Sequence, residues 1–223
     1  KFVIKTIRRE EKNCLIRRLL SHYLKYLKTE TRSFLSRIYG VYKLNRSHRQ
    51  AIYILIMENL THIVNPEAIV KIYDLKGSTV DRRSKKLLTP NHQEEGENLS
   101  FSSQPIQKDT DLIRNGDSFD VNAEQREVLL RTLGGDFSFL RECGIMDYSI
   151  LVTLIDADKF QFSLEDTLLT QTNTGRFFAS SPASSVTISR GEQTSPRRLL
   201  YNIGVIDFLQ IYNKKKKCER LTK

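Results

Sequence analysis

"KIYDLKGSTVDRRS", residues 71–84, is the stretch on which the organisation of the chain turns. Ile72-Tyr73-Asp74-Leu75 alternates like the end of a strand, and the run stops at Lys76-Gly77-Ser78-Thr79. A charged turn, Asp81-Arg82-Arg83, follows. An acid, a lysine and a glycine at a strand end, then two arginines, suit a loop that meets an anion. The same residue types also make ordinary solvated turns, so the stretch needs company before it carries chemistry.

Two more strand ends supply that company. Met146-Asp147-Tyr148-Ser149 opens MDYSILVTLI (146–155), which reads as the strongest strand in the chain, and Ile206-Asp207-Phe208 lies inside YNIGVIDFLQIY (201–212), which reads as another buried strand. A carboxylate beside buried apolar residues needs a cation, a metal or a catalytic proton, because burying it unpaired is costly. Aspartates and lysines grouped beside a strand-turn glycine suit phosphate and Mg²⁺ chemistry, in which Mg²⁺ takes one or two carboxylates together with substrate phosphates. Taken singly, each aspartate also reads as a turn acceptor or a structural ion pair. Lys5, inside FVIKTI, also reads as an outward-facing strand residue.

Working outward, FVIKTI (2–7) alternates as a strand, and EEKNCLIRRLLSHYLKYLK (10–28) repeats Leu15, Leu19, Tyr23 and Leu27 along one helical face. RIYGVYKL (37–44), AIYILIMEN (51–59) and IVKIYDL (69–75) read as strands, with NRSHRQ as a hairpin turn. A small antiparallel sheet with one long helix against it is expected first. Residues 85–120 are polar and read as an irregular excursion, with 85–107 as a flexible insertion. AEQREVLLRTLGGDFSFLREC (123–143) reads as a helix, and the Ser/Thr-rich 170–198 as a second flexible insertion. No internal repeat is visible.

The 223 residues suit one large domain or two small lobes. No window holds the ~18 apolar residues that a membrane-spanning helix needs, and no signal peptide is recognisable at the start. Cys14, Cys143 and Cys218 form no CxxC pair, which argues against a disulfide framework or zinc site and for a reducing, intracellular setting. A net charge of +10 favours an anionic partner: nucleic acid, a membrane surface or a phosphorylated ligand. A nucleic-acid module has no need of Asp74, Asp147 and Asp207 beside its strands, and neither RNA-recognition nor zinc-finger spacing occurs. A catalytically dead lipid-binding or scaffold protein of the same fold is the other rival. His22, His48, His62 and His92 are scattered and receive no role.

"YDLKGSTVDRR", "IMDYSILV" and "IGVIDFLQIY" resemble, in order, the signature segments of the phosphatidylinositol phosphate kinases, and FVIKT, SRIYGVYKL and PIQKDTDL fit between them. The resemblance implies an α+β, two-lobed kinase-like fold with antiparallel sheets, packed helices and flexible insertions. Residues 1–60 would be the N-lobe part of a partial catalytic domain and 61–223 the C-lobe part. It implies ATP and Mg²⁺ as cofactors. Lys5 would contact ATP phosphates, with an acidic partner from the next helix: Glu10 or Glu11, of which Glu11 is favoured. Met57-Glu58-Asn59-Leu60 would be the hinge that meets adenine, Asp147 the catalytic carboxylate and Asp207 the metal ligand. Lys76 would face phosphate, and Arg82 and Arg83 the lipid head group.

The lysine-rich end is similar to the family's membrane-facing substrate loop. Lys216-Lys217-Cys218-Glu219 matches the KKxE pattern of type I enzymes, which act on phosphatidylinositol 4-phosphate; Cys218 replaces a larger apolar residue and Arg220 a histidine. Lys216, Lys217 and Glu219 are thus expected to bind substrate. The implied partner is phosphatidylinositol 4-phosphate in an anionic membrane surface, reached by peripheral association at the cytosolic face of the plasma membrane, with no nucleic acid; a homodimer is left open. The family's glycine-rich lid lies before the lysine strand and is not among these residues. Weak or absent activity is therefore expected of this piece alone.

Overall fold

The computed structural model describes residues 2–47, 49–62, 65–80, 82–84, 105–160, 176–180 and 198–212. Strand β1 (Phe2–Ile7) leads into a helical stretch made of α1 (Arg9–Cys14), a π-helical turn (Leu15–Leu19) and α2 (Leu20–Thr29). The π turn has a cause in the sequence. Apolar residues spaced four apart overshoot a 3.6-residue turn by about 40° each time. One wider turn brings Leu15, Leu19 and Tyr23 back onto one face, and all three are buried.

β2 (Ile38–Arg46) and β3 (Arg49–Glu58) complete an antiparallel three-stranded sheet in the order β1-β3-β2. The hairpin is tighter than the expected NRSHRQ turn, because both strands run on until Arg46 faces Arg49, with a register shift between Leu44 and Arg46. The chain then crosses to a five-stranded mixed sheet, order β5-β4-β7-β9-β8. Its strands are β4 (Ile69–Leu75), β5 (Ile106–Lys108), β7 (Ser149–Asp156), β8 (Phe177–Ala179) and β9 (Leu199–Ile206). Helices α3 (Asp109–Asn115) and α4 (Ala123–Glu142) precede a two-stranded pair, β6 (Ile145–Met146) with β10 (Gln210–Ile211). The fold is α+β with antiparallel and mixed sheets, in line with the expected class. No described helix is long and apolar enough to cross a membrane.

One core joins the parts. Tyr23 and Phe208 stack at 6.0 Å, and Tyr26 and Phe139 at 4.3 Å, so the first helix is wedged against α4 and the end of β9. Leu35 bridges to Val205, and Val205 N–H donates to the Phe34 carbonyl at 2.7 Å. This segment thereby pairs with β9 past the residues that β8 occupies. Asp136, fully buried in α4, anchors it by accepting from Ser33 Oγ (2.7 Å), Phe34 N (2.7 Å) and Tyr26 Oη (3.0 Å). Burial pushes the Asp136 carboxyl up, and these donors oppose the shift only in part.

Four expectations are corrected. Residues 105–120 are not wholly irregular: β5 pairs in parallel with β4, and α3 follows at once, its start capped by Asp111 accepting from Lys108 N. The Ser/Thr-rich 170–198 contains β8, in which Phe178 is buried and pairs with Tyr201. The other two corrections are related. Neither MDYSILVTLI nor YNIGVIDFLQIY is one continuous strand: the first is interrupted at Asp147 between β6 and β7, and the second at Asp207 between β9 and β10, each aspartate with φ +60. The left-handed residue turns the chain out of the large sheet and lets β6 and β10 pair with each other.

Candidate active site

Register sets three turns side by side. Leu75 pairs with Ile150, and Ser149 with Ile206. Lys76 follows β4, Asp207 follows β9 and Asp147 precedes β7, so all three leave the sheet at the same end. Gly77 (φ +69), Asp147 and Asp207 are all left-handed, and the two aspartates are the non-glycine residues with positive φ among those described. That backbone costs an L-residue roughly 1–2 kcal/mol, least for Asp and Asn. Such outliers cluster where chemistry is performed. Both aspartates are exposed, while Phe208 and Leu209 directly after Asp207 are buried and fix its turn.

Lys5, in β1 opposite Leu55, reaches across from the smaller sheet and donates from Nζ to Asp207 Oδ1 at 2.7 Å. The pair is 26% and 46% exposed. At that exposure an ion pair is worth only about 0–1 kcal/mol, so an arriving phosphate or cation separates it easily. The acid that meets Lys5 is therefore Asp207, not Glu11. Glu11 turns back to cap its own helix, accepting from Arg8 N at 2.7 Å and Arg8 Nε at 3.3 Å. A carboxylate in the first helical turn answers free N–H groups more cheaply than it crosses to a neighbouring strand.

The loop after β4 is held by a residue to which the sequence reading gave no role. Asp109, first in α3, accepts from the backbone N–H of Lys76 (3.1 Å), Gly77 (2.8 Å) and Ser78 (3.3 Å) and from Arg82 Nε (2.9 Å). Burial alone would raise its pKa, but Arg82 and the backbone donors outweigh it and hold the carboxyl below the usual range. Arg82 also donates to the Asp74 carbonyl and lies 3.3 Å from Asp74 Oδ2. Its side chain is 12% exposed and its guanidinium is committed to the loop. Arg83 is exposed, as is Lys76. The local signal for this cradle was the pair of acids in QKDTDL; which of them would turn towards residues 76–78 depends on the parallel pairing of β5 with β4.

Met57 and Leu60 are buried, and the stretch they bound carries the chain from one sheet to the other. Glu58 accepts from Arg37 N at 3.0 Å and pairs with Arg176 Nη2 at 3.2 Å. Asn59 caps the turn by accepting from Thr61 N at 3.0 Å. Asn202 Nδ2 donates to the Leu60 carbonyl at 2.6 Å. Arg176, buried, also donates to the Leu35 carbonyl at 2.7 Å, so it ties this crossing to the core. It too was missed, since its segment reads as Ser/Thr-rich; the apolar pair Phe177-Phe178 was the signal for order there.

Lys216, Lys217 and Glu219 lie outside the described residues. Among the described residues, no group of three or more His, Cys, Asp or Glu is placed to hold a metal by itself. Asp207, exposed and presenting one carboxylate towards Lys5, fits the Mg²⁺ habit of taking one or two protein carboxylates and drawing other ligands from phosphates and water.

The whole chain, residues 1–223, matches the family described as phosphatidylinositol-4-phosphate 5-kinase. The chain belongs to that family. A phosphatidylinositol 4-phosphate 5-kinase of Plasmodium falciparum is 29% identical over 98% of this chain and 13% of its own length. A phosphatidylinositol 4-phosphate 5-kinase of Schizosaccharomyces pombe is 30% identical over 71% of the chain and 20% of its own length. The type-2 alpha phosphatidylinositol 5-phosphate 4-kinase of Sus scrofa is 26% identical over 100% of the chain and 58% of its own length. The chain thus spans little more than half, or far less, of these curated relatives. Relatives named for either isomer of the reaction match this family member.

Proposed function

We propose that this chain is part of the catalytic domain of a lipid kinase that transfers the γ-phosphate of ATP to the 5-hydroxyl of phosphatidylinositol 4-phosphate, giving phosphatidylinositol 4,5-bisphosphate. The observation that carries the proposal is the meeting of Lys5 with Asp207 at the sheet end from which Asp147 also projects. Residues 1–60 act as one lobe and 61–223 as the other; the change from the three-stranded to the five-stranded sheet at residues 58–60 supports that division. ATP lies between them, with Met57-Glu58-Asn59-Leu60 against the adenine.

On this reading Lys5 leaves Asp207 for the ATP phosphates, and Asp207 holds Mg²⁺, which supplies charge neutralisation on the transferring group. Asp147 orients the inositol hydroxyl and accepts its proton. Its left-handed turn holds the carboxylate just before the start of β7, in reach of a head group in front of the sheet. Lys76 and Arg83 meet the lipid phosphates. Arg82 serves the same loop by holding its shape with Asp109 and Asp74. Lys216, Lys217 and Glu219 contact the membrane and select the isomer, and association with an anionic surface is peripheral.

The test uses the full-length protein, Mg-ATP and vesicles carrying each monophosphorylated phosphatidylinositol in turn. Phosphatidylinositol 4-phosphate is the preferred substrate, and Asp147→Asn and Asp207→Asn each abolish turnover. Normal rates in Asp147→Asn refute the catalytic assignment. Preference for the 5-phosphate isomer refutes the substrate assignment.

A further inference from the structure

A cleft of about 820 Å³ opens beside the loop after β4. It falls within the roughly 300–1,000 Å³ of small-ligand sites. Its walls are Leu75, Leu112, Ile113, Phe137, Tyr148 and Ile150. Leu75 and Ile150 are register partners on neighbouring strands, and Phe137 stacks on Tyr148 at 5.2 Å. Lys76, Ser78 and Val80 form the rim. Asp109 also borders the cleft, but its oxygens are occupied by the loop backbone and Arg82.

We infer that this cleft receives an acyl chain of the phosphoinositide substrate, an assignment that rests on the proposed function. Three observations favour a lipid tail over any other occupant. The cleft adjoins the candidate site, since its wall residue Tyr148 is the chain neighbour of Asp147 and its rim residue Lys76 is the proposed phosphate contact. Val80 is 56% and Ile113 66% exposed at the mouth. Large apolar residues are thus left in water exactly where a chain descending from a bilayer would cover them. The cation on the rim, exposed Lys76, matches an anionic lipid surface in a protein of net charge +10.

The experiment compares water-soluble dibutanoyl, dihexanoyl and dioctanoyl phosphatidylinositol 4-phosphate, below their aggregation limits, with the bare inositol 1,4-bisphosphate head group. Binding to the full-length protein is measured by calorimetry. Affinity rises with chain length, by up to about fourfold for each methylene that the cleft buries. Ile113→Asp, at an exposed position, brings the ratio of dioctanoyl to head-group affinity close to one, and Ile113→Leu restores it. Equal affinity at all chain lengths, or a ratio unmoved by Ile113→Asp, overturns the cleft assignment while leaving the kinase reading intact. The same chain-length dependence for dioctanoyl phosphatidylcholine overturns it as well, by exposing general adsorption. Absence of head-group binding and of ATP-dependent phosphorylation of every lipid instead overturns the proposed function, and the cleft assignment with it.

Discussion

Replacing Asp109 with alanine removes one carboxylate and with it four donated hydrogen bonds, three from the backbone of residues 76–78 and one from Arg82. The bonds act as a unit, so their separate values do not add. The relevant scale is the breaking of a largely buried ion pair, about 3–5 kcal/mol. Two features favour the low end. Arg82 keeps Asp74 as a partner at 3.3 Å, and Lys76, Gly77 and Ser78 are exposed enough for water to take up their N–H groups. A loss of about 3 kcal/mol is expected, which for a chain of this size lowers the melting temperature by roughly 6–12 °C. Asp109→Asn keeps the shape and one acceptor oxygen but loses the charge, and is expected to cost about half as much. Thermal unfolding followed by circular dichroism separates the two variants. A shift under about 2 °C for Asp109→Ala, or equal shifts for both, refutes the view that this carboxylate holds the loop.

Two further outcomes follow from the packing and the charges. A Cβ at Gly204 would lie 2.2 Å from Leu60 Cδ1 and 3.0 Å from Arg176 Nη1. Gly204→Ala is therefore expected to lose about 1–3 kcal/mol by overpacking, with part of the loss recovered when Leu60→Ala is added; urea unfolding checks both, and a purely additive pair contradicts the clash. Asp109 and Asp111 both fold with lowered carboxyl pKa values, because donated hydrogen bonds outweigh burial. Their stabilisation is fully present above the unfolded value, about 3.9, and is lost as pH falls below it through the folded values. Asp136 has the opposite shift and works against this loss. Asp111→Asn is thus expected to make the acid limb of the stability profile shallower, and an unchanged limb refutes its part.

Several residues of the candidate site could be singled out from the sequence. Lys76, Asp147 and Asp207 stand out because each adjoins the end of an apolar run, a contrast written locally in the chain, whereas Lys5 reads alone as an ordinary strand residue and is singled out only by the resemblance. What each one touches was not legible. The resemblance implied Glu10 or, by preference, Glu11 as the partner of Lys5, yet helix capping claimed Glu11, and Asp207 came instead from 202 residues away. Arg82 carried the look of a free phosphate ligand, yet two aspartates enclose it.

By itself the sequence determined the strands β1 and β4, the two long helical stretches, the order of the three acid-bearing turns and the family. The strands, helices and turns follow from burial periodicity and turn chemistry, which act over a few residues, and the family from the resemblance of the signature segments. Tertiary structure alone decided that MDYSILVTLI and YNIGVIDFLQIY break at their aspartates, that Asp109 holds the loop after β4, and that Arg176 braces the crossing between sheets. Each of those depends on strand register and on two distant segments sharing one buried space, where the cost of an unpaired charge, and not local propensity, chooses the partner.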